Sequence, residues 1–267
     1  MLKKILSTFF GVTCLLFSLS GCQSEKDPNE IRVGTISGPE TQLMEVAKQV
    51  ALNHTSLDIK IIEFSDYSLP NMALNDGSLD ANMFQHQFFL DEEIKNKHYS
   101  LVPIAKLFVY PMGIYSQKIQ HLNELKQNAI IAIPNDPSNE ARALLLLQQA
   151  NLIKLNPNAK KLITPQDILS NPKHLQIKEL DAAQLTRALP DVSCSVINTN
   201  YAVLAHLYLQ NALFAEDKHS VYANLLVVKA KDKDNPKFKE LIQALHSTEV
   251  LTAAKTLFHG QAIPAWQ

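Results

Sequence analysis

An α/β fold divided into two lobes is the architecture this sequence predicts, on three observations. The chain has 267 residues, and domains run to about 100–200 residues, so it makes one large unit or two ordinary ones. Hydrophobic residues are 46% and charged residues 19%, with a formal net charge of -1, the balance of a chain that buries a core. From Ile31 onward, short β-type runs alternate with helical ones, about eight times over, which suits two α/β lobes better than one sheet.

The N-terminal stretch reads as an address. Lys3 and Lys4 precede an apolar run from Ile5 to Ser18, and Leu19-Ser20-Gly21-Cys22 closes it. The run is shorter than the ~20 residues that cross a bilayer, and the small residues before Cys22 admit a peptidase. A retained transmembrane anchor is the alternative. Leu-Ser-Gly-Cys matches the bacterial lipobox residue for residue, so residues 1–21 are expected to be a signal peptide and Cys22 the acylated mature N-terminus. Gln23 to Glu30 lacks apolar periodicity and is expected to complete a tether over 22–30. The expected location is the cell envelope, with an anchored body facing the periplasm or exterior.

The body follows element by element. Ile31 to Ile36 is β-type, Ser37-Gly38-Pro39 turns with proline placed to open a helix, and Leu43, Val46, Ala47 and Val50 recur at helical spacing. A strand over Ile59 to Phe64 and a helix over Pro70 to Asp76, stopped by Gly77, come next. Asp80 to Phe84 leads into Gln85-His86 at a strand's carboxyl end. Strands are expected over Leu101 to Leu107, Met112 to Tyr115 and Ala129 to Ile133. Pro134 to Asn139 is a loop rich in capping residues before a helix over Glu140 to Ala150. Strand Leu175 to Leu180, helix Ala182 to Leu189, strand Cys194 to Ile197, helix Tyr201 to Leu209 and strand Leu225 to Val228 repeat the alternation, expected to be mainly parallel. Helices over Lys237 to His246 and Glu249 to Phe258, the latter capped by Gly260, end the chain.

Several function classes are disfavoured. Glycine is scarce at 7 residues, and there is neither a G-x-G-x-x-G nor a G-K-[ST] loop to cradle phosphates. The near-neutral charge implies no nucleic-acid partner. Nine histidines fall in no metal-ligand spacing, so neither metal nor cofactor is expected. Cys194 reads as a core thiol, no G-x-S-x-G is present, and no local signature builds a catalytic constellation, which argues against an enzyme.

In α/β sheets a ligand sits beyond the carboxyl ends of the strands, so the loops there carry the candidate residues. Arg142 is one of three arginines. Placed in the first turn of its expected helix, it offers a planar fork to a carboxylate and is not needed to start that helix; a solvated helix arginine is the alternative. Tyr67, Phe84 and His86 come from two post-strand loops and can wall an apolar slot, or each can belong to a core. Asn198-Thr199-Asn200 follows Val196-Ile197, where amides either hold an ammonium or carboxylate or cap a helix. Asn224, before Leu225 to Val228, has the same two uses.

Segments spread in order along the chain together carry a resemblance. They include Glu63-Phe64-Ser65-Asp66-Tyr67, Leu79-Asp80-Ala81-Asn82, Phe84-Gln85-His86, Tyr110-Pro111-Met112-Gly113-Ile114-Tyr115-Ser116, Ile131 to Glu140, Arg142 to Gln148, Glu179 to Leu185 and Val196-Ile197-Asn198-Thr199-Asn200-Tyr201-Ala202. The chain resembles the NlpA lipoprotein family, the methionine-binding lipoproteins of ABC importers. That resemblance implies a two-lobed periplasmic-binding-protein fold, type II-like, with the ligand cleft between lobes. It also implies delivery of methionine to a membrane permease powered by its ATPase, by a lipid-anchored monomer. The implied ligand-binding positions are Tyr67, Phe84, His86, Asn139, Arg142, Asn198, Asn200 and Asn224, and aromatic walls suit a thioether. The implied lobes are 31–111 with 224–267, and 112–223. Met83 replaces the family's usual aromatic residue, and Phe88-Phe89 its Pro-Tyr. Methionine enantiomers, methionine sulfoxide, a methionine-containing dipeptide and another apolar amino acid stay open as ligands.

Overall fold

The structure, a computed structural model, describes residues 27–159 and 162–266. The signal peptide, Cys22 and most of the tether lie outside the described residues. At the tether's end, Pro28 and Asn29 form a turn and Glu30 already belongs to the first strand.

In chain order the elements begin with β1 (Glu30–Ile36), α1 (Pro39–His54), β2 (Asp58–Phe64), α2 (Pro70–Asp76), β3 (Ala81–His86), α3 (Gln87–Lys97) and β4 (Leu101–Val109). Next come β5 (Gly113–Tyr115), β6 (Ile130–Pro134), α4 (Pro137–Gln149), β7 (Lys154–Leu155), β8 (Ile168–Ser170), β9 (Gln176–Leu180), β10 (Cys194–Ile197), α5 (Thr199–Leu204) and β11 (Phe214–Ala215). The chain ends with β12 (Ala223–Lys229), α6 (Pro236–Leu245), α7 (Thr248–Leu257) and β13 (Ile263–Pro264). One sheet has the order β13-β4-β12-β3-β1-β2 and the other β11-β5-β10-β6-β9; β7 and β8 form a small ladder.

Both large sheets are mixed rather than mainly parallel. β1 pairs in parallel with β2 and β3, but β12 runs antiparallel to β3 and β4. The cause is the route of the chain. It leaves the first sheet after Val109 and re-enters at Ala223, which pairs with Val109, while in the second sheet Ala215 pairs with Gly113. The outgoing and returning segments therefore run side by side, and strands joined through neighbouring short crossings must be antiparallel.

Each sheet has its own core. Val33, Leu43, Met44, Leu226, Phe238 and Phe258 belong to the first, and Ile114, Ile131, Ile133, Leu144, Leu147 and Val196 to the second. A further cluster joins Ile36, Phe84 and Phe89 of the first lobe to Tyr115, Ala132, Ile197 and Tyr201 of the second. The lobes thus meet at one end of both sheets. α2 stops where Gly77 takes φ 90, a backbone that costs glycine little.

Helix boundaries depart from the local pattern in four places. α4 starts at Pro137, not Glu140, because Asp136 caps it by accepting from the Asn139 N–H. Arg142 is therefore in its second turn, away from the free N–H groups. The expected helix over 182–189 is a single 3-10 turn, Ala182–Gln184, followed by turns up to Pro190, whose ring disfavours helix at the residue before it. α5 ends at Leu204 rather than Leu209, with His206 at φ 58 just beyond. α3 was not legible, since only Phe89 and Leu90 of its residues are buried. Its cap is a histidine, His86 Nδ1 accepting from the Phe89 N–H at 3.2 Å.

Candidate functional site

A cavity opens between the two sheets, lined by Tyr67, Phe84, Gln85, His86, Phe89, Tyr110, Asn139, Arg142, Asn198, Thr199, Asn200 and Asn224. All eight residues singled out in the sequence stand around it. Gln85, Phe89, Tyr110 and Thr199 line it as well without having been singled out.

Its side-chain wall is aromatic. The Tyr67 ring lies 5.8 Å from Phe84, 5.9 Å from Phe89 and 5.2 Å from Tyr201, separations at which rings attract. β3 supplies Phe84, Gln85 and His86 and is buried along its whole length. An amide cluster steadies that strand: Asn71 Nδ2 donates to Gln85 Oε1 at 2.8 Å, and Gln85 Nε2 returns a bond to Asn71 Oδ1 at 2.6 Å.

The polar rim bridges the lobes. Tyr67 donates its hydroxyl to Asn200 Oδ1 at 2.8 Å, and Tyr201 reaches the Ser65 carbonyl at 3.3 Å. Because His86 Nδ1 accepts the α3 cap bond, its Nε2 carries the proton, which points to Asn139 Oδ1 at 3.3 Å. Burial, with Arg142 nearby, pushes the His86 pKa down to about 3, so the ring is neutral at physiological pH. Asn139 Oδ1 also accepts from Asn198 Nδ2 at 2.8 Å, and Asn139 Nδ2 is held by both Asp136 oxygens. Asn198 occupies the N-cap position of α5, yet its side chain makes no capping bond. Its Oδ1 and the Asn200 Nδ2 are buried without a hydrogen-bond partner in the described structure. One is an acceptor suited to an ammonium and the other a donor suited to a carboxylate.

Arg142 is 3% exposed, so it is not the solvated alternative. Its fork, however, is already engaged. Nε and Nη2 donate to the two oxygens of Glu216 at 2.7 and 2.6 Å, Nη2 also reaches the Tyr110 carbonyl at 3.0 Å, and the guanidinium lies 4.3 Å from the centre of the Tyr222 ring. Nη1 is the nitrogen free of these bonds. Glu216 also accepts from the Met112 N–H and the Ser220 hydroxyl. Burial raises its pKa, but Arg142 and these donors outweigh burial and hold it below its ordinary range. The pair sits where the two chain crossings meet. Thr199 adds a bond from its hydroxyl to the Pro111 carbonyl in the outgoing crossing.

No group of three or more histidine, cysteine or acidic side chains among the described residues could hold a metal. No described helix is long and apolar enough to cross a membrane. Glu216, Tyr222 and Glu40, the last bonded to Asn224, escape sequence reading because each acts through a partner far away in the chain.

Comparison with known proteins bears on this geometry. The family model described as NlpA lipoprotein matches residues 31–266. A D-methionine-binding lipoprotein MetQ of Salmonella typhi is 48% identical over 265 residues, covering 97% of this chain and 98% of that protein. A solved periplasmic substrate-binding protein of an ABC transporter from Coxiella burnetii is 58% identical, with a TM-score of 0.86, over 88% of this chain and 100% of that one. A nutrient-binding protein from Burkholderia cenocepacia, solved bound to methionine, is 47% identical with a TM-score of 0.86, over 88% of this chain and 99% of that one. The matches span the whole folded body, and this chain belongs to the NlpA lipoprotein family.

Proposed function

We propose that this protein captures methionine in the cavity between its lobes and delivers it to a membrane permease driven by an ATPase. It is a binding protein and not an enzyme, as its family and relatives are substrate-binding proteins of transporters. The observation that carries the ligand assignment is the composition of one cavity between the sheets. It has an arginine nitrogen and the Asn200 amide N–H for a carboxylate, and the Asn198 carbonyl oxygen for an ammonium. Tyr67, Phe84 and Phe89 form an aromatic slot that suits a thioether. The relatives named for D-methionine, and the one solved with methionine, support the same reading. Tyr67, Phe84, His86, Asn139, Arg142, Asn198, Asn200 and Asn224 are the proposed contacts.

The proposed lobes are 31–111 with 224–267, and 112–223, hinged at the paired crossings. The chain works as a monomer anchored in the envelope through acylated Cys22, after removal of residues 1–21. Native mass spectrometry of the purified body, followed by calorimetric titration with L- and D-methionine, tests the ligand. One molecule of methionine retained or taken up unchanged is the expected result, and no uptake of either enantiomer defeats the reading. Intact mass of the membrane-bound form, expected to start at acylated Cys22, tests the anchor.

A further inference from the structure

Glu40 is the second residue of α1 and 1% exposed. Its Oε1 accepts from Asn224 Nδ2 at 2.8 Å, while its Oε2 is buried without a hydrogen-bond partner in the described structure. The titratable groups that face it are the phenols of Tyr67, Tyr110 and Tyr201, and no cation pairs with it among the described residues. A buried carboxyl without a counter-charge is costly in its ionised form. Burial accordingly raises the Glu40 pKa to about 8, against the opposing bond from Asn224.

Asn224 links this carboxyl to the cavity it lines. Its Nδ2 donates both to Glu40 and, at 3.1 Å, to the Phe84 carbonyl. Both amide hydrogens are thereby committed, and Oδ1 is the end of the amide left to accept a bond. Arg142, the cation that lines the cavity, is neutralised by Glu216. A zwitterionic ligand therefore finds a balanced cation for its carboxylate and one unbalanced acid for its ammonium.

We propose that Glu40 is the counter-charge for the ligand's ammonium, orienting the Asn224 amide so that Oδ1 faces the ammonium and balancing its charge from behind. This rests on the amino-acid reading of the cavity. Glu40 is a positioning residue and touches the ligand only through Asn224. Before binding it holds a proton at neutral pH; the arriving ammonium favours the carboxylate, and that proton leaves to solvent.

Methionine and 4-(methylthio)butanoate, the same acid without its amino group, separate a charge role from a structural one. Both are titrated calorimetrically at pH 7 into the parent and Glu40→Gln, in buffers of different ionisation enthalpy. Glutamine keeps an oxygen for Asn224 and removes the charge. In the parent, methionine should release close to one proton. Glu40→Gln should bind methionine about tenfold or more weakly, without proton release, and bind the desamino acid within about threefold of the parent. A melting curve of ligand-free Glu40→Gln no lower than the parent's separates lost binding from lost fold. Methionine affinity within about twofold of the parent, an equal loss for both ligands, or an unchanged proton release overturns the proposal alone. If the parent binds neither compound, the amino-acid reading falls and Glu40's role with it.

Discussion

Arg142 and Glu216 illustrate how a buried ion pair ties binding to stability. Read from sequence, Arg142 is dispensable for folding; paired with Glu216, it is not. Removing one member of a buried pair leaves the other uncompensated. Arg142→Ala should therefore lower stability by about 3–5 kcal/mol as well as abolish methionine binding. Glu216→Gln leaves the buried guanidinium without its counter-charge, so it should likewise lower stability by about 3–5 kcal/mol, and it should weaken methionine binding about tenfold because the guanidinium loses the partner that sets its plane. Denaturant titrations and calorimetry on both variants check this. The pH dependence has a definite sign. Glu216 has a lowered pKa in the fold, so its contribution is present above the ordinary carboxylate range and is lost as pH falls through the lowered value. His86, held down to about 3 against an ordinary value of 6.5, also makes acid destabilising across that interval. Stability of the ligand-free protein should fall from about pH 4.5 to pH 3, below the interval in which the raised Glu40 carboxyl opposes the trend. In Glu216→Gln the slope below about pH 4.5 should be shallower; an equally steep slope would mean the pair is not its source.

At the scale of elements, the start of α4 does two jobs with one carboxylate. Asp136 caps the helix through the Asn139 N–H at 3.0 Å and the Ser138 hydroxyl at 2.9 Å, and it also grips the Asn139 amide. That grip turns Asn139 Oδ1 toward His86 and Asn198. Asp136→Ala should cost about 1–2 kcal/mol as a lost cap and weaken methionine binding. Asp136→Asn keeps an oxygen for the cap but presents an NH₂ group to the Asn139 NH₂. It should hold stability within about 0.5 kcal/mol while losing about tenfold in affinity. Paired melting curves and titrations distinguish the two jobs, and a variant pair with parallel losses in both measurements would show that the cap alone matters.

For the whole molecule, the bonds from Tyr67 to Asn200 and from Tyr201 to Ser65 describe a closed arrangement of the lobes. Only the two short crossings connect those lobes covalently, which is the geometry of a hinge. Small-angle scattering should show the protein contracting when methionine is added. Tyr67→Phe keeps the ring against Phe84 and removes the bond to Asn200, so its dissociation should be faster by about threefold to tenfold with little change in melting temperature. A radius that does not change on proven binding would remove the closure.

The periodicity of the chain carries most of the fold. Strands recognised from β-type runs, such as Ile31 to Ile36 and Cys194 to Ile197, and the helix closed by Gly77 stand within a residue of where the pattern puts them. The reason is that burial on one face leaves a local imprint. The loops that line the cavity were legible because strand ends before polar loops are where such folds place ligands, whereas Asn139 was singled out only through the family resemblance. Partnerships were not legible. Arg142 meets Glu216 across 74 positions and Asn224 meets Glu40 across 184. Nothing local ties those charges together, and the antiparallel return of β12 that brings Asn224 beside His86 follows from the route between the lobes. Which loops line the cavity is written in short-range pattern; which buried charge answers which is a property of the assembled topology, because electrostatic pairing depends on distance in space and on exclusion of water rather than on separation along the chain.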